Sequence, residues 1–129
     1  PEDIHFCAYL VGTALKLSAS LDAARTWGAA VTIPGSCERF RMAWHHGRIV
    51  VVKFSATAWK VQVGTLDTST GAFSWSSEQP LLAAGVALGA GDLFVRPDNV
   101  IEFGYVTAGG APTVTRCHTL ASDATGTWH

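Results

Sequence analysis

The chain has 129 residues, enough for one ordinary domain whose hydrophobic core needs no metal or disulfide staple. Charged residues make up 15% against 48% hydrophobic, which excludes a disordered tail, and no apolar run approaches the roughly 18 residues of a membrane-spanning helix. Nine Lys and Arg nearly balance ten Asp and Glu, without the cationic excess or the aromatic-basic interleaving of a nucleic-acid binder, so no nucleic-acid partner is expected.

The pattern reads as strands almost throughout. The first covers residues 5–11 and the second 15–20, where Lys16, Ser18 and Ser20 alternate with Leu15, Leu17 and Ala19 in the two-residue period of a sheet with unlike faces. Residues 22–26 form a turn, which Asp22 pins by bonding its own backbone. A strand over 27–33 follows and stops at Pro34 and Gly35. Residues 39–44 and the β-branched run 49–54 flank a reversal at His45, His46 and Gly47, the clearest hairpin signal in the chain. In the next strand, 59–66, Val61 and Val63 alternate with Lys60, Gln62 and Gly64, and a turn over 67–71 leads into 72–76. Beyond it the pattern weakens to short strands at 86–88 and 93–95 and a reversal at 97–99. Long strands at 100–107 and 113–120 and a turn at 123–126 complete the reading. The one helix candidate, 78–87, contains Pro80 and Gly85, which argue against much of a helix.

The turns repeat. Asp22, Thr26 and Trp27 recur as Asp123, Thr127 and Trp128, with Thr and Trp four and five residues after the Asp in both; Asp67 to Trp75 is a longer relative. The step from Asp22 to Asp67 is about the 45 residues of a four-stranded propeller blade. Ser20 through Trp27 resembles the Asp-box, Ser-x-Asp-x-Gly-x-Thr-Trp, of sialidases and other bacterial-neuraminidase-type repeat propellers. Ser20, Asp22, Thr26 and Trp27 match it, and Ala24 stands at the Gly position; in the last turn Ala121 and Thr125 replace the Ser and the Gly.

The resemblance implies a structural hairpin between the outer strands of a blade, its Asp satisfying turn amides and its Trp packing into the blade. Asp22, Trp27, Asp67, Asp123 and Trp128 are then fold residues. It also divides the single β domain, 1–129, into about three propeller-like blades, 1–35, 36–82 and 83–129, the first lacking its opening strand. Propellers typically close with at least four blades. The expected fold is therefore an all-β, incomplete propeller completed by a second copy or a partner chain, with a β-sandwich or barrel as the alternative.

Sialidase-type hydrolysis, as that family performs it, uses an arginine triad, a Tyr nucleophile with a nearby Glu, an Asp acid-base and an Arg-Ile-Pro segment. The sequence has no Arg-Ile-Pro, and no motif selects its Arg, Tyr or Glu residues. It also has no Gly-x-Ser-x-Gly elbow, phosphate-binding loop or His-Glu-x-x-His, so no catalytic residue and no cofactor is expected. Adjacent strand residues point to opposite faces, which argues against a metal site at Cys117 and His118; the reversal at His45 and His46 could bring that pair together, but turn or surface histidines are the expected reading and no metal is expected. Cys7, Cys37 and Cys117 are an odd set, compatible with one disulfide plus a thiol or with three thiols.

The residues best suited to a ligand are those of a sugar site, where indoles stack on rings and Arg or His bonds hydroxyls. These are Trp44 with His46, Trp59, Trp75, and Arg39 with Arg41, which share one strand face and suit an acidic sugar. The expected function is a non-enzymatic, lectin-like β-repeat protein, secreted or on a cell surface, with a glycan partner. The alternatives are a segment of a sialidase-like glycoside hydrolase, or a structural or assembly protein whose exposed strand edges bind partners.

Overall fold

The computed structural model describes residues 3–45, 47–98 and 100–118. They form an all-β fold of three separate antiparallel sheets, none closed into a barrel or a propeller. No helix among them is long and apolar enough to cross a membrane. The first sheet holds β1 (His5–Val11), β2 (Ala14–Ser20) and β3 (Val31–Ser36) in that order. The central sheet holds β4 (Arg39–His45), β5 (Arg48–Ser55), β6 (Ala58–Leu66) and β7 (Phe73–Trp75) in order. Its β8 (Gln79–Leu82) pairs with the same strand, β6, that β7 pairs with. The third sheet holds β9 (Ala87–Val95), β10 (Val100–Thr107) and β11 (Pro112–His118), with β10 in the middle.

The sheets stack face to face, and the strand period decides which residues fill each interface. In β5, Ile49 and Val51 turn towards the first sheet and pack with Leu15, Leu17, Ile33 and Cys37. Val50 and Val52 turn the other way and pack with Trp59, Val61, Leu93, Ile101 and Phe103. A run buried on both faces therefore reads as continuous apolar sequence rather than as alternation. Each such side chain, fully buried, contributes on the order of 1.5–3 kcal/mol. Sheet packing of this kind accounts for the stack without any covalent staple.

Three segments differ from the sequence reading. The third strand begins at Val31 instead of residue 27, because Gly28 leaves the ladder: its N–H donates to the Ala19 carbonyl (2.9 Å), and its own carbonyl accepts the Ser18 hydroxyl (2.6 Å). Around residues 78–87 there is no helix, as Pro80 and Gly85 argue, but residues 79–82 form the strand β8 that the pattern does not mark, in which Pro80 lies on an edge where no amide hydrogen is needed. Finally, β9 runs unbroken through Gly89 and Gly91 where two short pieces were expected. A Cβ on Gly91 would overlap the Phe103 ring, so the glycine admits the aromatic core of the next strand.

Pro34, Pro80 and Pro112 lie in β3, β8 and β11, while β1, β4 and β9 contain no proline. Cys7 is an exposed free thiol and Cys37 a buried one, so these two cysteines are not joined.

Candidate functional site

The Asp22 corner joins β2 to β3. Asp22 Oδ1 accepts the Ser20 hydroxyl (2.8 Å) and the Thr26 N–H (2.9 Å), and Oδ2 accepts the Thr26 hydroxyl (2.6 Å). Ser20 Oγ in turn accepts the Ala24 N–H at 2.9 Å. These donors favour the ionised form, the Thr26 hydroxyl most, then the Thr26 amide and Ser20, and they hold the Asp22 carboxyl down at about 2. To close the corner, Ala23 and Ala24 take the left-handed conformation, with φ of 59° and 65°. A non-glycine residue pays about 1–2 kcal/mol there. Ala24 is the position at which the Asp-box carries Gly.

The Asp67 turn occupies the equivalent place between β6 and β7 but is built differently. Asp67 Oδ1 accepts the Ser69 N–H (2.9 Å) and hydroxyl (2.6 Å), two residues on, and Gly71 closes the turn at φ 77°. The Ser69 bonds lower the Asp67 carboxyl below its usual value. The two turns face one another across a groove of about 460 Å³, lined by Leu21, Thr26, Trp27, Thr70, Gly71 and Phe73 among others. Trp27 does not pack into the sheet as the resemblance implies. It is 46% exposed at this groove, because residues 27–30 have left the ladder. Asp123 and Trp128 lie outside the described residues.

The residues singled out for a sugar do not form one site. Alternation along β4 sends Arg39 and Arg41 to one face and Trp44 to the other. Arg39 donates to the Gly89 carbonyl (2.9 Å), and Arg41 lies 3.9 Å from the Asp92 carboxylate, so both arginines engage β9 of the third sheet. Trp44, 43% exposed, lies against Phe6 of the first sheet with ring centroids 5.3 Å apart. Trp59 offers no face to a ligand: it is 1% exposed, donates its indole N–H to the Leu88 carbonyl (3.2 Å), and packs on Phe103. Trp75 covers Gly64, whose absent Cβ leaves room for the indole, and stacks on Phe73. His46 lies outside the described residues. Alternation from Lys60 already places Trp59 with Val61 and Val63 on the apolar face, a signal that identifies it as core.

One buried cation sits between the first two sheets. Lys53 Nζ donates to the Pro34 carbonyl (2.6 Å) and lies 3.4 Å from Glu78, which also pairs with Lys60. Burial pushes the Lys53 ammonium below its usual range, and the Glu78 charge opposes that shift. Among the described residues no group of three or more His, Cys, Asp or Glu side chains converges to hold a metal ion. Comparison with family models, curated proteins and solved structures finds no match to this chain.

Proposed function

We propose that this chain is a structural β-repeat segment of a propeller-type assembly, in which each sheet acts as one blade and further blades from a partner complete the stack. The observation that carries this reading is the contrast between the sheets. The central sheet is covered on both faces by apolar clusters, whereas the outer faces of the end sheets expose Tyr9 and Val11 on one side and Phe94 and Val114 on the other. The Asp22 and Asp67 turns support the blade reading, since each joins the second and third strands of the corresponding hairpin series, β2 to β3 and β6 to β7. Light scattering coupled to size exclusion tests it. The expected result is an assembly larger than the 13.6 kDa chain; a stable, monodisperse particle of that mass would overturn the reading.

A second reading, recognition of a neutral glycan, is favoured by one feature, the Trp27 indole exposed at a groove with the Thr26 and Thr70 side chains beside it. Titration with a panel of neutral oligosaccharides, read by Trp fluorescence, is expected to give saturable quenching that Trp27→Ala removes. Quenching that survives that substitution would exclude this groove.

A further inference from the structure

We infer that copies of this chain stack head to tail, the Tyr9 ring on the outer face of one copy's first sheet entering a hollow over Gly104 on the outer face of the next copy's third sheet. This contact rests on the blade reading above and names the missing blades as those of a second copy.

A glycine weakens a strand unless its missing side chain makes room for something. At Gly64, Gly89 and Gly91 the occupant is a ring of this chain: a Cβ there would press on Trp75, Phe54 and Phe103 respectively. Gly104, in the middle of β10, is different. Among the described residues a Cβ on it would meet a single atom, on the Phe94 ring, at an ordinary 3.9 Å. Nor does the backbone ask for glycine there, since Gly104 has no positive φ. Its missing side chain instead deepens a hollow of about 470 Å³ on the outer face, flanked by its cross-strand partners Asp92 and Val114.

Register places both residues at interface positions of the stack. Each sheet contains one antiparallel hairpin of the same kind, β1–β2, β5–β6 and β10–β11. Aligned on their turns, Ala8, Val52 and Gly104 are equivalent, and so are the residues that follow them, Tyr9, Lys53 and Tyr105. Ala8 and Val52 pack in the interface with the next sheet. Lys53 and Tyr105 turn to the preceding sheet, Lys53 onto the Pro34 carbonyl and Tyr105 into the aromatic cluster. At the two ends of the stack the same positions are exposed, Tyr9 by 44% at one end and the Gly104 hollow at the other. A second copy's β1 laid over β10 therefore continues the interface that β10 already makes with β5.

The chemistry of the two ends matches. Rings already cover Gly64 and Gly91, and Tyr9 brings a ring to Gly104. The Asp92 carboxylate at the rim of the hollow is an acceptor for the phenol, which needs one once buried. Ring and hollow belong to one chain but to different faces, so the occupant is a second copy and the contact is heterologous. Two copies supply six sheets, within the roughly four to eight blades at which propellers close.

Sedimentation of the full chain over a concentration series tests the contact. The parent chain is expected to associate, and Tyr9→Ser and Gly104→Val are each expected to weaken association by about 30-fold or more, as loss of a central aromatic anchor does. A mixture of the two variants, one keeping the ring and the other the open hollow, is expected to restore a one-to-one pair. In urea, at a dilution where both are single chains, Gly104→Val is expected to be at least as stable as Tyr9→Ser, because valine suits a strand. Where Tyr9→Ser fails to fold by circular dichroism, Tyr9→Thr replaces it. Unchanged association of both folded variants, or no pairing in their mixture, overturns the contact; assembly that persists leaves the blade reading standing. A Gly104→Val chain less stable than Tyr9→Ser assigns the hollow to the chain's own residues and overturns the contact as well. A parent chain that stays at 13.6 kDa throughout the series overturns contact and blade reading together.

Discussion

The two faces of the central sheet solve the same packing problem with different materials. Towards the third sheet the interface is aromatic, a chain from Phe54 to Trp59 (5.3 Å), Phe103 (4.7 Å) and Tyr105 (6.0 Å), with β9 lying over β4. Towards the first sheet it is largely aliphatic, carries the buried Lys53 ammonium paired with the partly exposed Glu78, and ends at the open Phe6–Trp44 groove. One β-branched run, 49–52, serves both interfaces because successive side chains point to opposite faces. A central strand can thus be fully buried while the interfaces on its two faces are unequally complete.

Substitutions on the two faces separate them. Trp59→Ala is expected to have the largest effect, a loss of about 3–5 kcal/mol in urea denaturation, since a fully buried indole leaves a cavity among packed aromatics. Glu78→Gln leaves the Lys53 ammonium buried with a weaker partner. Because Glu78 is itself partly exposed, the loss is expected nearer to about 1–2 kcal/mol in the same measurement. Trp44→Ala, at the open groove, is expected to cost only about 1 kcal/mol, as roughly half of its transfer energy is never realised. A Trp44→Ala loss equal to that of Trp59→Ala would erase the contrast between the faces.

Smaller effects probe the Asp22 corner. Ala24→Gly relieves left-handed strain but frees the unfolded chain, so a net gain of roughly 0.5 kcal/mol is expected in thermal melts. The Asp22 carboxyl lies at about 2 in the folded chain against a usual 3.8, so its contribution is fully present above pH 3.8 and is lost as the pH falls towards 2. Asp22→Asn should flatten the dependence of stability on pH across that window. An unchanged slope there would assign the acid sensitivity to other carboxylates.

Much of the strand content is legible in local pattern, because a period of two is a local property. The division of β4 is equally legible: Arg39 and Arg41 cannot share a face with Trp44 in an extended strand. What escapes local reading depends on distant partners. The glycines of β9 look like breaks until Phe103 is found against Gly91, twelve positions away in sequence and diagonal to it on the neighbouring strand, where Gly91 itself pairs with Tyr105. The exposure of Trp27 follows from Gly28 bonding Ala19 instead of continuing β3, which no periodicity announces. Both corners start from an Asp, yet the Asp67 carboxylate is held chiefly by Ser69, two residues on, where Asp22 reaches Thr26, four residues on. The spacing of the following hydroxyls, not the Asp itself, decides which corner forms.

The prolines give the stack a direction. The edge strands β3, β8 and β11 each contain one, and a proline has no amide hydrogen to offer a passing strand. The edges β1, β4 and β9 contain none. Among the described residues one flank is thus blunted at three of its four edge strands, the short β7 being the exception, while the opposite flank keeps its full complement of donors. Edge-to-edge association of isolated chains is therefore expected through the proline-free edges before the others.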